Sequence, residues 1–196
     1  MTRSFLLIAL AVIVAACAER VYAPLEDVSR ARYVSAEAPY ISLMTMVNRD
    51  DNKGAHSAIL VNGSQVALYD PAGTFKHPEL PERGDVFYGI TPRWKEVYEW
   101  YHARDTTYVV EHRLAVSREF ADQMIARMEQ QGPSPKMLCG INTSAVLRSF
   151  DIFADVPSTY YPDKIMNAFA RIPGVTERRV YQEDTGQNIQ FEAPGG

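Results

Sequence analysis

Strand-like and helix-like segments segregate along the chain rather than alternate, which predicts an α+β domain with a mostly antiparallel sheet packed against helices. Two further observations support this. The runs "AHSAILVN" and "QVALYD" are joined around "NGS", a hairpin signal. Beyond the N-terminus, no internal repeat and no second long apolar run is visible.

The N-terminus reads as a processing signal. Arg3 gives a basic start, and Phe5 to Val14 is an apolar run too short to span a bilayer. It ends in "VAAC", which resembles the lipobox of bacterial lipoproteins, where the cysteine is acylated and becomes the mature N-terminus. That resemblance implies a signal peptide over 1–16, a lipidated Cys17 and a domain in the periplasm of a bacterial envelope. Ala18, rather than Asp, follows the cysteine, which by resemblance to lipoprotein sorting favours the outer membrane. An ordinary secretory signal is the alternative. Removing 16 residues from 196 leaves 180, enough for one domain with a real core.

Residues 17–38 are polar, contain Pro24, and read as a tether. The domain is expected over 39–182, followed by a loosely ordered tail over 183–196. "YISLMTMVN" (40–48) alternates as a strand and "NRDDNKG" (48–54) is a polar loop. The hairpin follows, then a long Pro- and Gly-rich loop over 70–84 and a strand "DVFYGI". Thr91 as N-cap and Pro92 at the first position open a helix whose Trp94, Val97, Tyr98 and Tyr101 recur at helical spacing. "TTYVVEHRLAV" (106–116) is a strand, and Ser117 caps a helix with a stripe of Phe120, Ala121, Met124, Ile125 and Met128. A third helix is expected from Cys139 to about Phe153, with Ile141, Ala145, Val146 and Phe150 inward. A fourth starts at Pro162 and stops at Pro173-Gly174, and a late strand lies in "ERRVYQ".

The formal charge of −4 gives no electrostatic argument for nucleic acid as a partner. "EHRLA" is not HExxH, no Cys/His spacing fits zinc, and no phosphate loop is present. No cofactor or metal is expected. "RGD" at 83–85 reads as a turn entering a strand.

The chemistry centres on Cys139. If Cys17 carries lipid, Cys139 has no intramolecular partner, so it is either buried and inert or used for its reactivity. A cysteine in the first turn of a helix meets unpaired N–H groups and the positive end of the dipole, which favour thiolate. A thiol nucleophile needs a base. His77 lies in the long loop without structural context, His102 ends a helix where a cation offsets the dipole, and His112 is expected on a solvated strand face. His56 begins the apolar hairpin, at its open end, where a helix N-terminus can meet it.

A helix-heading cysteine and a histidine opening "HSAILV" resemble the papain-like, NlpC-type thiol enzymes. His56 precedes Cys139 by 83 residues, an order similar to the circularly permuted branch, which includes lecithin:retinol acyltransferase-like proteins. "YYPDKIM" is similar to a proline-led helix start that follows the cysteine helix there. The resemblance covers roughly residues 40–172. It implies a permuted papain-like fold with Cys139 as nucleophile, His56 as base and a third polar residue orienting the imidazole. Acyl transfer through a Cys139 thioester is the expected chemistry, with an amide or ester of an unspecified peptide, glycan or lipid as substrate; the alternative is a non-catalytic envelope lipoprotein that binds such a ligand. Leu138 and Gly140 depart from the polar neighbours common in the family, and the strand at Gly84 to Phe87 follows the histidine instead of preceding it.

Hairpin register selects the third residue. With a loop of Asn62, Gly63 and Ser64, paired numbers sum to 126 and His56 lies opposite Asp70. With an Asn62-Gly63 turn the sum is 125, and His56 faces Tyr69. A carboxylate beside His56 would fix its tautomer and stabilise the imidazolium, which favours Asp70. Otherwise Asp70 caps the turn "DPAG".

Overall fold

The computed structural model describes residues 21–184. The expected signal peptide, Cys17 and most of the expected tail lie outside them. Seven strands form one sheet: β1 (Tyr40–Asn48), β2 (Gly54–Asn62), β3 (Val66–Tyr69), β4 (Glu82–Arg83), β5 (Val86–Tyr88), β6 (Thr107–Ala115) and β7 (Thr176–Val180). Every neighbouring pair is antiparallel, in the order β4-β5-β3-β2-β1-β6-β7. Among the described residues five helices accompany it: α1 (Leu25–Ala31), α2 (Pro92–His102), α3 (Arg118–Gln131), α4 (Cys139–Leu147) and α5 (Pro162–Phe169). The α+β class with an antiparallel sheet is therefore the architecture. Among the described residues no helix is long and apolar enough to cross a membrane.

Helices cover both faces, so the central strands are apolar throughout instead of alternating with polar residues. Ile41, Leu43, Ile59, Val61 and Tyr69 pack against Met124 and Met128 of α3, Val146 of α4 and Ile165 of α5. Met44, Met46, Ala58, Leu60 and Leu68 face the other way, toward Val97 and Tyr98 of α2. Burying some twenty such side chains, each contributing roughly 1.5–3 kcal/mol, supplies the main driving force for this sandwich. On the α2 side, Glu111 is buried but fully compensated. It accepts from Lys95 Nζ at 2.8 Å, Arg178 Nη2 at 2.7 Å and Ser42 Oγ at 2.7 Å.

Helix starts follow the local chemistry. Thr91 accepts from Trp94 N, and Ser117 accepts from Phe120 N. The cysteine helix is shorter than expected: it ends at Leu147, and Asp151–Phe153 forms a separate 3₁₀ turn. Its buried face also differs. Asn142, Thr143, Ser144, Val146 and Leu147 are buried, whereas Ile141, Ala145 and Phe150 are only partly so. Small polar residues go inward because they bond to β2 and to the preceding loop, as described below.

Residues 21–38, expected as a tether, lie against the domain. Ala23 N donates to Glu82 O, Val66 N donates to Tyr33 O, and Asn62 Nδ2 donates to the carbonyls of Glu37 and Ala38. Gly89 makes room for α1: a Cβ there would lie 2.6 Å from Ala31 O, and its φ is +77°.

The hairpin register differs from both expectations. Ile59 pairs with Tyr69 and Asn62 with Val66, so paired numbers sum to 128 and the loop is Gly63-Ser64-Gln65. Gly63 N donates to Gln65 O, and Asp122 of α3 accepts from both Ser64 N and Ser64 Oγ. These tertiary bonds hold a loop that Asn-Gly turn statistics do not select. β3 then stops at Tyr69, one residue before Asp70-Pro71. By the same register Ser57 would face Pro71, which has no N–H to give a ladder. β2 runs on paired with β1 alone, and the notch on its β3 side receives α4.

Candidate active site

Three elements meet at the notch. β2 carries His56, placed next to a bulge: Met46 pairs with His56 but Val47 pairs with Gly54, leaving Ala55 as the extra residue. A bulge re-aims its neighbours, here the imidazole at the sheet end. The turn after β3 carries Asp70. The first residue of α4 is Cys139.

The vacated backbone of Ser57 is taken up by α4. Thr143 Oγ1 lies 3.3 Å from Ser57 O and 3.1 Å from Ser57 Oγ. The Ser57 and Gly140 main chains both help to lower the Cys139 thiol pKa. Gly140 is required for close approach: a Cβ there would lie 2.8 Å from the carbonyl oxygens of Thr159 and Tyr160. Asn142 fixes the loop before the helix by donating to Ser134 Oγ at 2.8 Å and to Leu138 O at 3.0 Å.

His56 Nε2 lies 2.5 Å from Asp70 Oδ1, which leaves Nδ1 for the thiol. Asp70 Oδ1 also accepts from Tyr98 Oη at 2.8 Å. The carboxylate is completely enclosed, and Asp70 Oδ2 has no hydrogen-bond partner. Gly73 permits this: a Cβ there would sit 1.8 Å from Asp70 Oδ2. Cys139 is 8 % exposed and the His56 side chain 16 %.

Burial opposes charge on all three groups, and mutual pairing overrides it. For Cys139, burial would raise the thiol pKa, but the hydrogen bond and charge of His56, with the Ser57 and Gly140 main chains, lower it. For His56, burial would lower the pKa, but the Asp70 carboxylate and the Cys139 sulfur push it up to about 10. Asp70 is likewise lowered, by His56 against burial. The arrangement favours a thiolate–imidazolium pair backed by a carboxylate.

The site contains residues the sequence did not mark. Tyr98 holds Asp70. His102, four residues on along α2, stacks on His56 with centroids 5.9 Å apart and planes 14° apart. Its Nδ1 donates to Tyr98 O at 2.9 Å, and burial lowers its pKa to about 4, so it is neutral. It therefore does not supply the dipole-offsetting cation expected at a helix end. The i, i+4 spacing of Tyr98 and His102 was the available signal. His112, expected on a solvated face, is buried and pairs with Glu177 Oε2 at 3.0 Å because β7 covers it. His77 lies away from the cysteine, with its ring 4.3 Å from that of Trp94.

The chain gives no significant match to any family model, curated protein or solved structure.

Proposed function

We propose that this protein is a thiol enzyme of the cell envelope that hydrolyses an amide or ester, or transfers its acyl group, through a thioester on Cys139. One observation carries the reading: a cysteine at a helix N-terminus has its thiol pKa lowered by a histidine whose Nε2 lies 2.5 Å from a buried carboxylate. In this reading His56 Nδ1 takes the thiol proton and the thiolate attacks the substrate carbonyl carbon. Free N–H groups in the first turn of α4 stabilise the oxyanion. His56 then gives its proton to the departing amine or alcohol. Water or another acceptor, deprotonated by His56, opens the thioester, releasing the acyl product and restoring the thiol. Asp70 keeps the imidazole oriented throughout, and Tyr98 keeps Asp70 in place.

The order of histidine strand and cysteine helix supports a permuted papain-like arrangement. The lipid anchor at Cys17, the periplasmic location and the outer-membrane preference rest on the N-terminal sequence. The substrate class remains peptide, glycan or lipid. Limited exposure of Cys139 favours one second reading, a non-catalytic envelope lipoprotein that keeps the fold and binds such a ligand.

Intact-mass measurement after exposure to a panel of activated aryl esters and amides separates the two. The enzyme reading predicts an acyl adduct on Cys139 that decays with turnover and is absent in Cys139→Ala. No adduct with any member, despite a folded protein, favours the binding reading.

A further inference from the structure

His56, Asp70 and His102 form a second constellation that thiol chemistry does not use in full. One ring nitrogen of each histidine and one carboxylate oxygen of Asp70 lie within 4.8 Å of one another. The second oxygen of that carboxylate, Asp70 Oδ2, is buried and unpartnered. A buried carboxylate oxygen without a donor is costly, and a cation would satisfy it. The supporting bonds are those of a metal site. His102 donates Nδ1–H to the Tyr98 carbonyl, which leaves Nε2 with its lone pair for a ligand. Tyr98 Oη donates to Asp70 Oδ1 and orients the carboxylate. Both histidines are partly exposed, which gives an entry path.

We propose that His56, Asp70 and His102 bind a divalent transition metal of the zinc class. Two imidazoles and a carboxylate suit zinc, with water in the fourth position. Binding forms bonds from the metal to His56 Nε2, to His102 and to Asp70, and releases the proton shared by His56 and Asp70 to solvent. The metal-bound imidazole of His56 carries its remaining hydrogen on Nδ1, facing the sulfur. The sequence hid this set because its members lie 14 and 32 residues apart on a strand, a turn and a helix.

The test uses the full chain stripped of metal with EDTA and titrated with Zn²⁺, and separately with Co²⁺ as a visible probe. Expected are one Zn²⁺ per chain and Co²⁺ absorption of a four-coordinate nitrogen–oxygen site. His102→Asn keeps an amide to donate to the Tyr98 carbonyl but loses the ligand, and should weaken Zn²⁺ binding at least tenfold. Asp70→Asn, nearly isosteric, should do the same. Cys139→Ala should bind Zn²⁺ as the wild type does, so binding is read without any acyl chemistry. The proposal is overturned if no stoichiometric Zn²⁺ binds, if His102→Asn and Asp70→Asn both bind it unchanged, or if Cys139→Ala abolishes binding.

Discussion

Asp70 meets His56 diagonally across the hairpin, with Oδ1 2.5 Å from Nε2, although the register places Ala58 opposite Asp70. A carboxylate just beyond the last ladder pair can lean toward a histidine two residues along on the same face, because diagonal neighbours remain within reach of long side chains. The contact therefore depends on what holds Asp70 as well as on strand pairing.

Removing that charge gives the first prediction. Asp70→Asn should let the His56 pKa fall from about 10 toward its ordinary value, since Asp70 is the largest influence raising it against burial. Cys139 then loses its imidazolium, and alkylation at pH 7 should slow by about tenfold or more, one pKa unit corresponding to tenfold. Iodoacetamide kinetics on the two proteins measure this directly.

Space around the carboxylate can be tested without altering any polar group. Gly73→Ala places a methyl 1.8 Å from Asp70 Oδ2, so the carboxylate or the turn must move. Forced shifts of this kind cost about 1–3 kcal/mol. Denaturant unfolding should show that loss, and thiol labelling should slow in parallel.

Docking of α4 on β2 separates stability from reactivity. Thr143→Val removes the hydroxyl 3.3 Å from Ser57 O and leaves that buried carbonyl without it. The cost should be about 1–3 kcal/mol. Thiol labelling should change less than in Asp70→Asn, because His56 and Asp70 keep their contact.

Parts of this site are legible in the sequence and parts are not, for physical reasons. Cys139 and His56 stand out because a breaker-rich segment precedes one and an apolar hairpin follows the other. Asp70 is reachable by face parity, since loops giving sums of 126 and 128 both place it on the side of His56. The register itself was hidden, because Asp122 of α3 fixes the loop through Ser64. Tyr98 looks like one member of an apolar stripe, and only the fold shows that its hydroxyl meets Asp70. His102 looks like a helix-end cation, but burial keeps it neutral. The packing of residues 21–38 runs largely through their own main-chain groups, whose bonds leave no pattern in that segment's side-chain types.

Stability should depend on pH through His56. Its folded pKa of about 10 lies above the ordinary 6.5, so its contribution is complete below about 6.5 and is lost as pH rises toward 10. Cys139→Ala isolates this, because the thiol would titrate in the same range. Unfolding free energy of Cys139→Ala should fall as pH rises across that window, and the fall should vanish when His56→Gln is added. Urea titrations at several pH values provide the measurement.

Cys17→Ser tests the proposed lipid anchor. Two or three acyl chains bind membranes firmly, at about 0.8 kcal/mol per buried methylene, whereas one chain is marginal. The variant should leave the membrane fraction on cell fractionation. Unchanged retention would remove the lipidation.

The most direct test of the site is the pH profile of Cys139 alkylation in wild type and His56→Ala. His56 and the α4 N-terminus should make the wild-type thiol react as a thiolate below the ordinary thiol pKa of 9.0, and His56→Ala should move the profile to higher pH. Identical profiles in the two folded proteins would contradict the pairing of Cys139 with His56 on which the proposed chemistry rests.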